Sequence, residues 1–152
     1  MSLMLNECVE FDEERKICIA YEKGKTYRLH NNSSYKIRKV KVDKCIAQNI
    51  GEKRCDYLME IKSIQRVIFI ELKGGDLAHA LRQLYSAITF LKKEFLSFQI
   101  DARIVGSRDV PGFISLPDYL RLEKEIRFTK GKIERATNNI YSENILIWNI
   151  IT

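Results

Sequence analysis

The chain has 152 residues, 45% of them apolar and 30% charged, with 26 Lys+Arg against 20 Asp+Glu for a net charge of +6. That length fits one domain able to bury a core, and the composition excludes a disordered chain. No signal peptide and no apolar run of membrane-spanning length is visible, so a soluble, cytoplasmic protein without a membrane partner is expected, its basic excess favouring an anionic one.

The first dozen residues are ambiguous, a short helix carrying Glu7, Glu10, Glu13 and Glu14 being one reading. A hairpin follows over about 16–31, with Lys16 to Tyr21 and Thr26 to His30 as arms and Glu22-Lys23-Gly24-Lys25 as the turn. Asn31 to Ser34 is a loop by composition. From Tyr35 to Asp43 the residues alternate, Val40 and Val42 against Lys39, Lys41 and Asp43, as in a half-buried strand near a sheet edge. A central hairpin comes next, with arms Asp56 to Ile61 and Arg66 to Lys73. Gly74-Gly75 breaks its second arm, and Asp76 is a natural N-cap. Leu77, Leu81, Leu84, Ile88, Leu91 and Phe95 recur at spacings of four and three, which predicts an amphipathic helix. A strand over Ala102 to Gly106 follows. Ser115-x-x-Asp118, with Pro117 in the first turn, reads as a capping box opening a second helix through about Phe128. The apolar tail from Asn144 to Ile151, with Trp148, must pack on the domain or on a partner. No repeat or linker interrupts the chain, so 1–152 reads as a single α/β domain with a mixed sheet.

The four cysteines, Cys8, Cys18, Cys45 and Cys55, lack CxxC spacing and read as small buried residues in a reducing compartment. Cys45 and Cys55 flank a turn that could bring them together.

The chemistry concentrates on the central hairpin. If its connection is Lys62-Ser63-Ile64-Gln65, Ile61 faces Arg66 and Asp56 falls directly opposite Glu71, with Lys73 on the same face as Glu71. Two facing carboxylates destabilise a sheet by roughly 0.2–1 kcal/mol. A divalent cation, with Lys73 as a second positive partner, would offset them. Asp43 is a rival for the first acid, on a more highly charged strand. Lys36, Arg38, Lys39, Lys41 and Lys44 suit phosphate contacts and edge protection about equally. Arg103, Arg108 and the region of Lys124, Arg127, Lys130, Lys132 and Arg135 read as solvated, the last as a helix face. Tyr21, Tyr27 and Tyr35 read as core or cross-strand packing.

A strand, a hairpin carrying Asp56 and Glu71-Leu72-Lys73, a helix and a further strand, over about 35–106, resemble the core of the PD-(D/E)XK phosphodiesterase superfamily. The resemblance implies a restriction-endonuclease-like sandwich, a central mixed β-sheet flanked by helices, with the segment 115–152 as a C-terminal helix and tail. It implies a metal-dependent nuclease hydrolysing phosphodiester bonds in DNA, in repair, recombination or mobile-element biology. Asp56 and Glu71 carry over as ligands of Mg²⁺ or Mn²⁺, with the Leu72 carbonyl as a third, and Lys73 as the residue that orients water or offsets transition-state charge. Gln83 is placed on the helix face bearing Asp76 and His79, within reach of the site. The sequence departs from the pattern in three places. Cys55 stands where a Pro is common, no one acid among Glu7, Glu10, Glu13 and Glu14 is singled out, and Gln83 followed by Tyr85 does not reproduce the Gln-x-x-x-Tyr of one branch. A catalytically inactive nucleic-acid-binding or assembly module on the same fold, and an RNA-directed nuclease, remain the alternatives. Cutting both strands of a duplex favours a homodimer.

Overall fold

A computed structural model describes residues 3–46, 54–72 and 76–145. The elements are α1 (Leu3–Glu7), β1 (Val9–Glu14), β2 (Ile17–Glu22), β3 (Lys25–His30), β4 (Lys36–Lys41), β5 (Tyr57–Ile61), β6 (Arg66–Glu71), α2 (Leu77–Leu91), β7 (Gln99–Val105), α3 (Pro117–Ile126), β8 (Ile133–Ala136) and β9 (Ile140–Asn144). Together they form an α/β fold around a mixed six-stranded sheet in the order β1-β4-β5-β6-β7-β8, with a second sheet in the order β2-β3-β9. Pairing is antiparallel from β1 through β6 and parallel from β6 through β8.

Alternation along the central strands explains the layering. Leu58, Val67 and Phe69 pack with the apolar face of α2, with Leu5 of α1 and with Leu122 and Ile126 of α3. Their neighbours Tyr57, Met59, Ile61, Ile68 and Ile70 pack instead with Cys18, Ala20, Tyr27 and Leu29 of the small sheet. Among the described residues the helices therefore lie on one face of the large sheet, and the other face is covered by strands. β5 and β6 have every residue buried, as strands covered on both faces should.

The central hairpin has the expected register. Ile61 faces Arg66, and a 3-10 turn over Lys62–Ile64 with Gln65 in the left-handed region (φ 50°) makes the connection. The N-terminal hairpin is also as expected, with Glu22 facing Lys25 and Lys23-Gly24 at positive φ, as a two-residue turn demands. In α2, the Asp76 side chain accepts the His79 N–H at 3.1 Å, and the apolar stripe Leu77, Leu81, Leu84, Ile88 and Leu91 is buried. Past β7, Gly131 meets the Ile100 carbonyl so closely that a Cβ would come within 1.6 Å of its oxygen, which fixes glycine at the entry to β8.

Several expectations are corrected. Residues 9–14 form an edge strand rather than a continuation of the first helix. Only Phe11 of β1 is buried, so no apolar alternation marked it. β4 is consequently an interior strand, and two of its charges are paired: Lys39 Nζ lies 2.8 Å from Glu10, and Arg38 2.7 Å from Glu60. Ser115 does not cap α3. The N-cap is Leu116, with no side-chain hydrogen bond, and Asp118 instead lies 3.1 Å from Arg82. The basic region near 124–135 is not one helix face, because α3 ends at Ile126 and β8 begins at Ile133. Tyr21 is exposed rather than packed, while Tyr27 is fully buried.

Arg103 is not solvated. It is 4% exposed and holds Glu143 of β9 through Nε at 2.8 Å and Nη2 at 3.2 Å. Tyr27 donates to the same carboxylate at 2.8 Å. Burial opposes the charge on Arg103, yet the hydrogen bond and charge of Glu143, aided by Asp101, hold the guanidinium above the ordinary arginine value. Arg66 lies 2.8 Å from Asp101, which also accepts from Gln99 and the Lys132 N–H. This charged network ties β6 and β7 to the small sheet.

The cysteines are not all free. Cys8 and Cys45 form a disulfide across 37 residues, so the partner of Cys45 is not Cys55. Cys18 and Cys55 are buried thiols. No helix among the described residues is long and apolar enough to cross a membrane.

Candidate functional site

Asp56 and Glu71 both lie at the open end of the central hairpin, the one just before β5 and the other the last residue of β6. The pairing of β5 with β6 ends where Tyr57 faces Ile70, so Asp56 precedes and Glu71 follows its last position. The strand is irregular there, because the Asp56 N–H also donates to the Ile70 carbonyl, at 3.1 Å. The Asp56 carbonyl accepts the Val42 N–H at 3.0 Å, so the residue is tied to both neighbouring strands. Its side chain is fixed too, since Oδ2 accepts the Leu72 N–H at 2.8 Å. Asp56 is 3% exposed and Glu71 0%.

The described contact of Leu72 is this N–H donation, and its side chain packs in the layer facing the small sheet. Lys73 lies outside the described residues, as do Gly74 and Gly75. Gln83 does reach the strand carrying the pair, but from the buried side of α2 and not from a polar face. Its Nε2 donates to the Arg54 carbonyl at 3.2 Å, two residues before Asp56, while Oε1 has no partner among the described residues. Gln83 is thus a strap holding the approach to β5 rather than a group facing solvent.

Arg54 is a contributor that sequence reasoning missed. It is 4% exposed, donates from Nη1 to the Ser86 carbonyl and hydroxyl at 2.8 Å each, and stacks 4.2 Å over the Phe90 ring. With Gln83 it pins residue 54 to α2. No local signal marks it, because its partners Gln83 and Ser86 are 29 and 32 residues further along the chain.

Cys55, directly before Asp56, lies within the field of the acids. Burial first, and then the charges of Glu71, Asp56 and Asp43, push its thiol well above the ordinary value. Burial and these charges therefore favour the neutral thiol at Cys55. Asp43 lies beyond the end of β4 and is half-buried. Of the four N-terminal acids, Glu10 is taken up by Lys39 and Glu13 by Arg15. Among the described residues, no three His, Cys, Asp or Glu side chains converge as a metal-holding group.

The fold and these positions define an α/β protein with a mixed sheet and a buried carboxylate pair at the end of its central hairpin. No family model matches this chain, and no curated protein or solved structure matches it.

Proposed function

We propose that this chain is a metal-dependent nuclease of the PD-(D/E)XK kind that hydrolyses phosphodiester bonds in DNA. The observation that supports the reading is that Asp56 and Glu71 lie buried at the same end of the central hairpin, in a chain with the expected order of strand, hairpin, helix and parallel strand. The donor set fits a hard divalent cation such as Mg²⁺ or Mn²⁺, because it consists of carboxylate oxygens and leaves coordination positions to water and phosphate. A bound cation would supply charge for the phosphate and lower the pKa of an attacking water. Asp56 is held for such a role by the Leu72 N–H, which takes one lone pair of Oδ2 and fixes the carboxylate plane. Lys73, two residues beyond Glu71 in the sequence, is the residue assigned to orient the water. Gln83 positions the strand through Arg54.

A second reading, a nucleic-acid-binding or assembly module without catalysis, is favoured by the burial of both carboxylates, at 3% and 0% exposure. One experiment separates the two. Purified protein is incubated with labelled duplex, single-stranded, flap and four-way-junction DNA and with single-stranded RNA, in Mg²⁺, Mn²⁺ or EDTA, beside Lys73→Ala. Calorimetry of Mn²⁺ binding to wild type and Asp56→Ala runs in parallel. The nuclease reading expects metal-dependent cutting that Lys73→Ala abolishes and metal binding that Asp56→Ala abolishes. Cutting of RNA alone would reassign the substrate. Absence of both cutting and metal binding would leave the binding module.

A further inference from the structure

The small sheet leaves one side of β2 without a partner strand among the described residues, since β2 ends the order β2-β3-β9. Ile17, Ile19 and Tyr21 on this strand are 47%, 43% and 60% exposed. Native edges are ordinarily blunted by a proline, a bulge or a charge in mid-strand. This one has none of them, because its pairing with β3 runs unbroken and Ile17 to Tyr21 carry no charge.

The hydrogen-bond pattern shows which residues serve that edge. Glu22 and Lys25 close a two-residue turn and so form a hydrogen-bonded pair. Lys16 accepts the Asn31 N–H at 2.8 Å, and Thr26, which faces Tyr21, donates away from β2 to Asn139 at 2.9 Å. The even-numbered residues of β2 therefore bond to β3. Ile17, Ile19 and Tyr21 direct their N–H and C=O groups outward.

We infer that β2 is the contact between two copies of this chain, paired antiparallel about a two-fold axis at Ile19. In that register Ile19 faces itself, Ile17 faces Tyr21 of the other copy, and all three outward-bonding residues of each strand are used. An axis at Cys18 or Ala20 leaves one of them unpaired. The same register sets Lys16 opposite Glu22 of the other copy, twice by symmetry, and a strand of unrelated sequence would not match that charge pattern. Cys18 and Ala20, which are buried on the inner face, come opposite each other, so the layer beneath continues across the join. Two three-stranded sheets become one of six strands.

The test is the mass of the full chain by light scattering and sedimentation over a concentration series, with circular dichroism as the fold control. The wild type is expected to form a dimer that dissociates on dilution. Ile19→Lys sets two like charges on the axis and abolishes it. Lys16→Glu weakens the dimer, and adding Glu22→Lys restores it. Under mild oxidation Ile19→Cys gives linked dimers, whereas Tyr21→Cys does so only when mixed with Ile17→Cys. The inference is overturned by a monomer at every concentration, by a dimer indifferent to Ile19→Lys, or by Tyr21→Cys linking to itself as readily as Ile19→Cys.

Discussion

Replacing Glu143 with Ala tests whether the buried charge network holds the two sheets together. The carboxylate accepts two hydrogen bonds from Arg103, at 2.8 and 3.2 Å, and one from Tyr27 at 2.8 Å. Removing one member of a buried ion pair costs about 3–5 kcal/mol, because the other charge is left in a medium that cannot solvate it. Two features place this case at the lower end. Arg103 keeps the carbonyls of Ala102 and Lys132, at 3.0 and 2.9 Å, and Asp101 at 3.8 Å. The Glu143 side chain is also 16% exposed, so water can enter when it is cut back. We expect a loss of about 3 kcal/mol, a fall in melting temperature of roughly 6–12 °C for a domain of this size. Guanidinium unfolding at neutral pH, read by near- and far-ultraviolet circular dichroism, measures it. Glu143→Gln, which keeps an acceptor oxygen and loses the charge, should fall between wild type and Glu143→Ala. A loss below about 1 kcal/mol for Glu143→Ala would refute the reasoning, since that is the scale of an exposed ion pair. Arg103→Met combined with Glu143→Leu should recover most of the loss, because no buried charge then lacks its partner.

Reducing the Cys8–Cys45 bond, or replacing both residues with Ser, should cost about 4 kcal/mol from the loop entropy of a 37-residue separation. Peptide mapping without reductant should recover that pair joined and Cys18 and Cys55 as free thiols. Burial pushes the Cys18 thiol up to about 11 from 9.0, against the opposing charges of Arg15 and Lys39. A group whose folded value is raised contributes stability that is complete below its unfolded value and lost as pH rises through the folded one. The melting temperature should therefore decline from pH 9 toward 11, and less steeply in Cys18→Ala. Equal slopes in the two proteins would remove Cys18 as the cause.

The parts of the fold that the sequence announced are those where local chemistry and burial agree. The central hairpin declared its register because apolar runs on both arms left four residues for the turn, and α2 because its stripe and its Asp76 cap coincide. The parts that were hidden depend on partners far away in the chain. β1 shows only Phe11 to the core, and β8 and β9 are short and half-exposed, so none carries an alternation of its own. Arg103 looked like a surface residue because the acid that neutralises it is 40 residues further on. At the candidate site, the placing of Asp56 and Glu71 at the same end of the hairpin was legible from strand counting alone. The strap made by Arg54 and Gln83 was not, since nothing near Arg54 in sequence foretells a helix packed over it.

The parallel pairing of β9 with β3 has a consequence for how the molecule is made. Tyr27 and Glu143, joined by a hydrogen bond, are 116 residues apart, so the small sheet cannot close until almost everything between them has been synthesised. At about 5–20 residues per second, the β2–β3 hairpin waits on the order of ten seconds for its third strand. During that interval both edges of the hairpin are bare, and the nascent chain is exposed to pairing with its neighbours on the same message. Slow passage through this window, rather than any weakness of the finished core, is where the yield of folded protein would be decided.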